Sequence, residues 1–347
     1  FVADASGQTQ DQYSNTVVPG RNARGTALQL SPDGTRLAMG GDWFDVNGSA
    51  SHSFAVVNST TGAVLRTWPA NTVGNTSRTK WISSDGTRFF LAQEGFAGFD
   101  GALAYNWSDY SQAWRDNCSG ATQAIVPYQG LLFQAHHHHD CGAQGMFPDG
   151  RRTYLSVTHA ADPTQLQIGW LPELNDGTGE GLGPRAIAIG AGTNGTPYLW
   201  VVGEFTRVNG ANQQGLTHFS PTDTGAPPVP TVAARAITPN AVQVNIRGVY
   251  DPDDSDITYA VYRGTNTTTP VWTGVAQSKH WYRQQATFVD TAVTPGTSYT
   301  YRVRAIDRAN NQSALSATVT ATASATGSAY ASTALADQPR VFYRYGR

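Results

Sequence analysis

Charge is scarce in this sequence. Asp, Glu, Lys and Arg make up 14% of the 347 residues, and Lys80 and Lys279 are the only lysines. The formal net charge is −2 and no basic stripe is present, which excludes the phosphate-neutralising surface that a nucleic-acid-binding protein needs. No apolar run approaches the ~20 residues that cross a bilayer, so we expect no membrane span. No segment of about ten residues keeps a helical hydrophobic period, which excludes a helical protein.

The sequence also lacks the short motifs of common catalytic sites. It contains no Gly-x-Ser-x-Gly elbow, no His-Glu-x-x-His helix and no phosphate-binding loop. A glycosidase needs two carboxyl groups roughly 5–10 Å apart with different pKa values. The only glutamates are Glu94, Glu173, Glu180 and Glu204. We therefore assign no catalytic residue.

Glycine and aromatic residues are abundant instead. The chain has 36 glycines and is 11% aromatic, a balance that many short strands joined by tight turns would produce. The length is too great for one compact core and predicts two or three domains. The sequence therefore predicts an all-β protein with several domains.

Cys118 and Cys141 are the only cysteines. Two thiols in an extracellular β protein usually pair, and closing a loop of this size stabilises a fold by roughly 3 kcal/mol. Two buried free thiols are the alternative. We expect the disulfide, and with it a protein that is secreted, extracellular or on a cell surface.

Two parts of the sequence repeat each other. Residues 36–48, RLAMGGDWFDVNG, align without gaps with residues 198–210, YLWVVGEFTRVNG. We call these the repeat boxes. In each, Asn-Gly supplies the positive-φ positions of a tight turn between two apolar strands. Their shared polar and glycine positions are Gly41, Asp42, Asn47 and Gly48 in the first box and Gly203, Glu204, Asn209 and Gly210 in the second. Repetition indicates a structural role for both acidic residues, as acceptors for backbone donors at a strand end.

Four strand-rich units follow one another, near 25–72, 77–117, 121–175 and 184–222. Periods of about 40–60 residues with four short strands each predict a β-propeller of four or more blades over residues 1–222. Residues 1–24 would supply a closing strand, or further blades precede Phe1. A cleaved leader or a trimmed fragment would explain a start at Phe instead of Met.

The repeat boxes resemble the repeat of secreted, actinobacterial-type β-propeller proteins with delta-60-like repeats. That resemblance covers most of 27–222. Such proteins often carry fibronectin type III and laminin-G-like modules downstream, and most lack an assigned activity. The resemblance therefore implies display or adhesion outside the cell.

A Pro-rich stretch at 223–231 predicts a stiff linker between domains. Strong alternation follows over 232–323, and Thr294-Pro-Gly-Thr-Ser298 precedes the strand that begins at Tyr299. This pattern resembles a fibronectin type III domain, a β-sandwich in which Tyr299 would be the corner tyrosine and Tyr301 would enter the core.

Residues 324–347 contain a small-residue linker and then YASTALADQPRVFYRYG, which resembles the start of a bacterial laminin-G or concanavalin-like domain. About 17 residues cannot fold as a jelly roll. We expect either a truncated start of that domain or a tail that docks on another molecule.

Residues 136–139 are four consecutive histidines. Alternate side chains of a strand face opposite sides, so His136 and His138 share one side. With Asp140 they could supply three ligands at ~2.0–2.2 Å to zinc or a similar ion. The alternative is a strand end whose histidines are hydrogen-bonded and hold no metal.

Two further binding features are present. The oxygen-rich loops at 251–256 and 175–180 could hold Ca²⁺, although neither has the spacing of an EF-hand, and a solvated loop is the alternative for the first. Trp281 and Tyr282 lie in a polar loop of the fibronectin-like region and could stack on sugar rings; core packing is the alternative for most of the other aromatic residues.

These features predict a non-catalytic extracellular binding or scaffold protein for adhesion or surface display, with a glycan or cell-surface polymer as its partner. An extracellular polysaccharide-active enzyme that uses the propeller channel is one alternative. A structural subunit of a phage tail or surface filament, with self-assembly, is the other. Neither nucleic acid nor a membrane is expected as a partner.

Overall fold

A computed structural model describes residues 24–116, 118–141, 152–166 and 170–325, together with Thr333. Apart from a short 3₁₀ helix at Ala70–Thr72, the regular structure described up to residue 325 is all-β. The chain divides into two compact units, Phe1–Gln167 with Pro172–Pro221 and Ile168–Leu171 with Thr222–Arg347. The predicted closing strand at 1–24 and the laminin-G-like tail lie almost entirely outside the described residues.

The first unit contains four antiparallel sheets in succession. The first sheet has the order β1-β2-β5-β6, and a small hairpin, β3-β4, lies between its second and third strands. Its strands and hairpin are β1 (Arg24–Leu30), β2 (Arg36–Asp42), β3 (Asp45–Val46), β4 (Ser49–Ala50), β5 (Phe54–Asn58) and β6 (Val64–Thr67).

The second and third sheets are four-stranded meanders, in which each strand pairs with the next along the chain. The second consists of β7 (Ser77–Ser84), β8 (Arg88–Gly95), β9 (Gly101–Asn106) and β10 (Gln112–Arg115). The third consists of β11 (Thr122–Tyr128), β12 (Leu131–His138), β13 (Thr153–His159) and β14 (Asp162–Leu166).

The fourth sheet repeats the plan of the first with three strands in the order β15-β16-β19 and a small hairpin, β17-β18. Its strands and hairpin are β15 (Pro184–Ala191), β16 (Pro197–Gly203), β17 (Arg207–Val208), β18 (Ala211–Asn212) and β19 (Leu216–Phe219). The four sheets thus span 24–67, 77–115, 122–166 and 184–219. These ranges nearly coincide with the four units expected from the sequence.

Neighbouring sheets pack face to face through β8. Side chains of a strand alternate between its two faces. Phe89 therefore packs with Phe54 of the first sheet, whereas Phe90 packs with Ile125 of the third. All four side chains are buried, so the second sheet is covered by apolar side chains on both faces.

The two repeat boxes have the same conformation. Gly41 N donates to Ser53 O at 2.8 Å, and 162 positions later Gly203 N donates to Gly215 O at 3.0 Å. The turn residues match as well, with φ of 52° and 77° at Asn47-Gly48 and 50° and 80° at Asn209-Gly210. One element is therefore used in two separate sheets.

The second unit is a β-sandwich. Its strands are β20 (Thr231–Thr238), β21 (Ala241–Arg247), β22 (Asp256–Arg263), β23 (Trp272–Lys279), β24 (Tyr282–Arg283), β25 (Ala286–Asp290), β26 (Ser298–Ile306) and β27 (Val319–Thr322). The sheets have the orders β20-β21-β25 and β24-β23-β22-β26-β27, and their inner faces share one apolar core.

Two tyrosines of β26 fix the edge and the core of this sandwich. The Tyr299 hydroxyl accepts a hydrogen bond from Thr294 N at 2.8 Å, five residues upstream, which is the contact of a corner tyrosine. Tyr301 is fully buried and its hydroxyl donates to Asp290 at 2.9 Å.

Candidate functional site

A cleft of about 1010 Å³ opens in the first unit. The loop 95–100 between β8 and β9 forms one wall, and the residues around Cys118 together with the end of β12 form another. The chain returns sharply at both places, which brings charged side chains from distant positions together.

The disulfide between Cys118 and Cys141 holds the wall formed by the end of β12. Beside it the backbone pairs like a short ladder: Ser119 N donates to Asp140 O, and His139 N donates to Ser119 O, both at 2.9 Å. The two cysteines are buried. The cross-link therefore fixes the segment that carries the histidines.

The four histidines separate into two pairs because β12 continues through His138. His136 and His138 are buried and stacked, with ring centroids 3.7 Å apart. Both ring nitrogens of His136 are hydrogen-bonded, Nδ1 to Thr153 O at 3.0 Å and Nε2 to the Ser156 hydroxyl at 2.7 Å. Burial lowers the pKa of His136 to about 3, so its imidazole is neutral.

The predicted metal ligands therefore need correction. His136 has no free ring nitrogen, and the structure does not bring it together with His138 and Asp140 as a set of ligands. These two side chains are instead buried on one face of the third sheet. There, His138 Nε2 is hydrogen-bonded to the Thr122 hydroxyl at 3.1 Å.

The other pair, His137 and His139, lines the cleft and meets Asp100 there. Ligand atoms of these three residues lie within 4.8 Å of one another. Burial, followed by the positive charge of Arg152, lowers the pKa of His137 to about 4, and its Nδ1 is buried without a hydrogen-bond partner. A neutral imidazole is the form that binds metal, so this trio could hold a transition metal such as zinc.

Two carboxyl groups of the cleft have different pKa values. Burial opposes ionisation of Glu94, but hydrogen bonds from Gln123 and Arg78 and the charge of Lys80 outweigh it and lower its pKa to about 2. Burial raises the pKa of Asp100 to about 6; a hydrogen bond from a backbone N–H opposes this rise, and the negative charge of Glu94 adds to it.

Three side chains from two strands, β7 and β11, fix the Glu94 carboxylate in place. Arg78 Nε donates to it at 2.8 Å, Gln123 Nε2 at 2.7 Å, and Lys80 Nζ lies 3.2 Å away. A carboxylate with this many donors keeps one orientation, and it presents an ordered charge to the cleft.

Two phenylalanines lie in the loop 95–100. The ring of Phe96 is 88% exposed. Phe99 lies under the guanidinium of Arg115, which is 3.8 Å from its ring centroid. The cleft therefore combines fixed polar groups with an apolar ring that has no protein covering it.

The repeat-box residues have structural surroundings. A Cβ at Gly41 would collide with the carbonyl of Arg24, and one at Gly203 with the carbonyl of Gly183. Glu204 accepts hydrogen bonds from Arg185 Nε at 3.0 Å and from a backbone N–H. Partial burial opposes its ionisation, but these donors outweigh it and lower its pKa.

Trp281 and Tyr282 belong to the second unit, at the turn between β23 and β24. Tyr282 is 49% exposed. Trp281 is half-buried, packs edge-on against His280 with ring centroids 4.6 Å apart, and lies 5.7 Å from Lys279 Nζ. Of the two, Tyr282 has the more accessible ring.

The predicted calcium loop at 175–180 is tied to the protein by its first residue. Asn175 Oδ1 accepts hydrogen bonds from Thr206 N at 2.8 Å and Arg207 N at 2.9 Å. Its side-chain oxygen therefore ties this loop to the backbone at the start of the β17-β18 hairpin.

The comparisons identify part of the second unit. Residues 240–324 match a protein-family model whose description is "Fibronectin type III domain SaeA third domain". The chain therefore contains a fibronectin type III domain. Together with the disulfide, which persists in oxidising compartments, this domain indicates an extracellular protein. No helix among the described residues has the length and hydropathy of a membrane span.

One curated relative is Exoglucanase B of Cellulomonas fimi, which is 40% identical over 204 residues. The match covers 50% of this chain and 18% of that protein, so the chain spans less than a fifth of the relative's length.

Two solved structures show weaker likeness. The first is the extracellular domain of a hybrid two-component system from B. thetaiotaomicron, at 13% identity and a TM-score of 0.33, with 89% of this chain and 45% of that chain covered. The second is a fibronectin-type-III-like protein from Clostridium thermocellum, at 22% identity and a TM-score of 0.20, with 28% and 95% covered.

Proposed function

We propose that this chain is a non-catalytic, extracellular carbohydrate-binding protein. In this proposal the first unit is part of a β-propeller with delta-60-like repeats, which presents the cleft, and the fibronectin type III domain serves as a spacer for adhesion or display. The observation that carries the proposal is the cleft itself, in which an exposed phenylalanine lies beside immobilised polar groups.

The arrangement of the four sheets supports a propeller. The first strand of each sheet lies against the first strand of the next, β1 against β7, β7 against β11 and β11 against β15. In a propeller the innermost strands of successive blades adjoin in this way around the central channel. The repeat boxes at the first and fourth sheets fit the same interpretation.

The chemistry of the cleft supports a sugar as its ligand. A sugar ring offers hydroxyl groups that both donate and accept, together with an apolar face of C–H groups. Glu94, Asp100 and Arg115 match the hydroxyl groups, and Phe96 matches the apolar face. The similarity to part of an exoglucanase fits a role on polysaccharide outside the cell.

Binding is favoured over catalysis because the Glu94 carboxylate is already held by the side chains of Arg78, Gln123 and Lys80. Glu94 keeps its charge through fixed donors and has no proton to give at neutral pH. One observation favours the alternative of a polysaccharide-active enzyme: Asp100, with a pKa of about 6, lies near an ionised carboxylate, and split pKa values of this kind suit an acid–base pair.

Depletion and calorimetry with cellulose, xylan, chitin, mannan and mixed β-glucans test the proposal on the full chain. We expect measurable affinity for at least one of them, weakened about tenfold or more by Phe96→Ala, since burying one aromatic ring is worth about 1.5–3 kcal/mol. Because Phe96 is exposed, this substitution leaves folding intact. Tyr282→Ala is the matched control and should bind like the wild type.

Two outcomes would overturn the assignment. Retention of full affinity by Phe96→Ala together with its loss in Tyr282→Ala would move the binding surface to the fibronectin type III domain. Release of reducing sugar ends that disappears in Asp100→Asn would make the protein an enzyme.

A further inference from the structure

Aspartates gather at one end of the sandwich in the second unit, outside the cleft. They come from three segments: the residues before β20, the loop between β21 and β22, and the residues that follow β26. The five are Asp223, Asp251, Asp253, Asp254 and Asp307. Carboxylate oxygens of Asp223, Asp253 and Asp254 lie within 4.8 Å of one another.

Three of the five aspartates are buried, and two of the three have a carboxylate oxygen without a hydrogen-bond partner. Asp251 is 4% exposed and Asp307 is 6% exposed, and Oδ2 of each has no hydrogen-bond partner. Asp251 lies against the carboxyl group of Asp253, which has no proton to donate when it is ionised. A buried carboxylate oxygen without a donor or a cation is costly, so its presence points to a missing positive charge.

The protein supplies little of that charge. Arg308 Nε lies 3.6 Å from Asp254 Oδ1, but the arginine side chain is 66% exposed. Asn311 donates from Nδ2 to Asp223 at 3.2 Å and from its backbone N to Asp307 Oδ1 at 2.7 Å. Backbone N–H groups of Gly225 and Arg308 donate to Asp223 and Asp254 as well. One exposed guanidinium and four neutral donors do not balance the charge of five carboxyl groups.

The pKa values reflect this imbalance. Burial, together with the neighbouring Asp253, raises the pKa of Asp251 to about 8. Burial raises the pKa of Asp254 to about 6, although Arg308 opposes the rise.

We propose that this aspartate cluster is a calcium-binding site. Only carboxylate oxygens converge here, with no histidine or cysteine in the group. An all-oxygen, highly charged set of ligands suits Ca²⁺, which takes six to eight oxygens at ~2.3–2.6 Å, better than it suits zinc or a similar ion. Bound calcium would tie the segment that carries Asp223 to the two loops, and so rigidify the start of the sandwich.

The test uses the full chain, stripped with EDTA and then titrated with Ca²⁺ in a calorimeter and followed by thermal unfolding. We expect one equivalent of Ca²⁺ per chain, a higher unfolding temperature of the second unit, and binding of Mg²⁺ that is at least about tenfold weaker. Terbium luminescence, sensitised by nearby aromatic residues, provides an independent readout of the same site.

Asp251→Asn should abolish the calcium-induced shift. In EDTA it should be as stable as the wild type or more stable, because it replaces a buried carboxyl group crowded by other carboxyl groups with a neutral amide. This result would separate loss of binding from loss of folding. Asp256→Asn, at an exposed position at the start of β22, is the matched control and should keep the shift. No heat or luminescence with the wild type at millimolar Ca²⁺, or an equal shift in Asp251→Asn, would overturn the proposal.

Discussion

Single ionisable residues control the chemistry of the cleft. The Glu94 carboxylate interacts with the cations of Arg78 and Lys80 and with the amide of Gln123. Its negative charge helps to raise the pKa of Asp100. The sequence identified Glu94 only as one of four glutamates, because its partners on β7 and β11 are remote along the chain. Nothing in the spacing indicated that these strands end beside each other.

Glu94 should make stability depend on pH. Its folded-state pKa of about 2 is below the ordinary value of 4.5. The stabilisation is therefore present above pH 4.5 and is lost as the pH falls towards 2. We expect Glu94→Gln to lower the free energy of unfolding by up to about 3 kcal/mol at pH 7.

Urea denaturation of wild type and variant at pH 7 and pH 3 checks this, and the difference between them should shrink at pH 3. Glu180→Gln is the control. Its carboxylate is 74% exposed, so its ion pair with Arg185 should contribute little at either pH. An equal effect of Glu94→Gln at both pH values would contradict the assignment.

The histidines show where residue patterns stop being informative. Alternation along a strand correctly predicts that His136 and His138 share one face. Which face is buried depends on what packs against the sheet, and here His136 and His138 are buried while His137 and His139 line the cleft. The alternation of side chains along one strand contains no information about which other elements pack against that strand.

At the scale of elements, the repeat box is the best-defined feature of the chain. Its glycines are required for close packing as well as for turns, since Gly41 in β2 leaves no room for a Cβ beside the carbonyl of Arg24. The sequence predicted the Asn-Gly turns from known turn preferences. The approach of β1 to β2 at Gly41 is visible only in the folded sheet.

Gly41→Ala should therefore destabilise the first unit by about 1–3 kcal/mol, because a buried backbone must move to accept the methyl group. Gly25→Ala is a matched substitution in the adjacent β1, where a Cβ meets nothing within 4 Å. It should leave the unfolding midpoint nearly unchanged. Equal midpoints for the two variants in thermal unfolding would show that the sheet relaxes around Gly41.

At the scale of the whole molecule, the two units differ in how they are cross-linked. The disulfide closes a separation of 23 residues within the first unit, and the chain has no cysteine outside that pair. The second unit is a sandwich around one apolar core that contains Tyr259 and Tyr301.

Loss of the disulfide should weaken only the first unit. We expect the double substitution of Cys118 and Cys141 by Ser to lower its stability by roughly 3 kcal/mol. Unfolding of the second unit, followed in the same sample by hydrogen exchange, is the internal reference and should not change. Unaltered protection of β12 in the variant would mean that the ladder at Ser119 holds this segment without the cross-link.

The sequence by itself determined the all-β class, the strand-rich units, the tight turns and the fibronectin type III domain. These properties follow from local alternation and turn chemistry, which act over a few residues. Only the tertiary structure decided which histidines are buried, that Glu94 and Asp100 share a cleft, and that five aspartates from three segments converge. The physical reason is that burial and electrostatic coupling depend on distances in space, and loops bring together residues that are far apart in the chain.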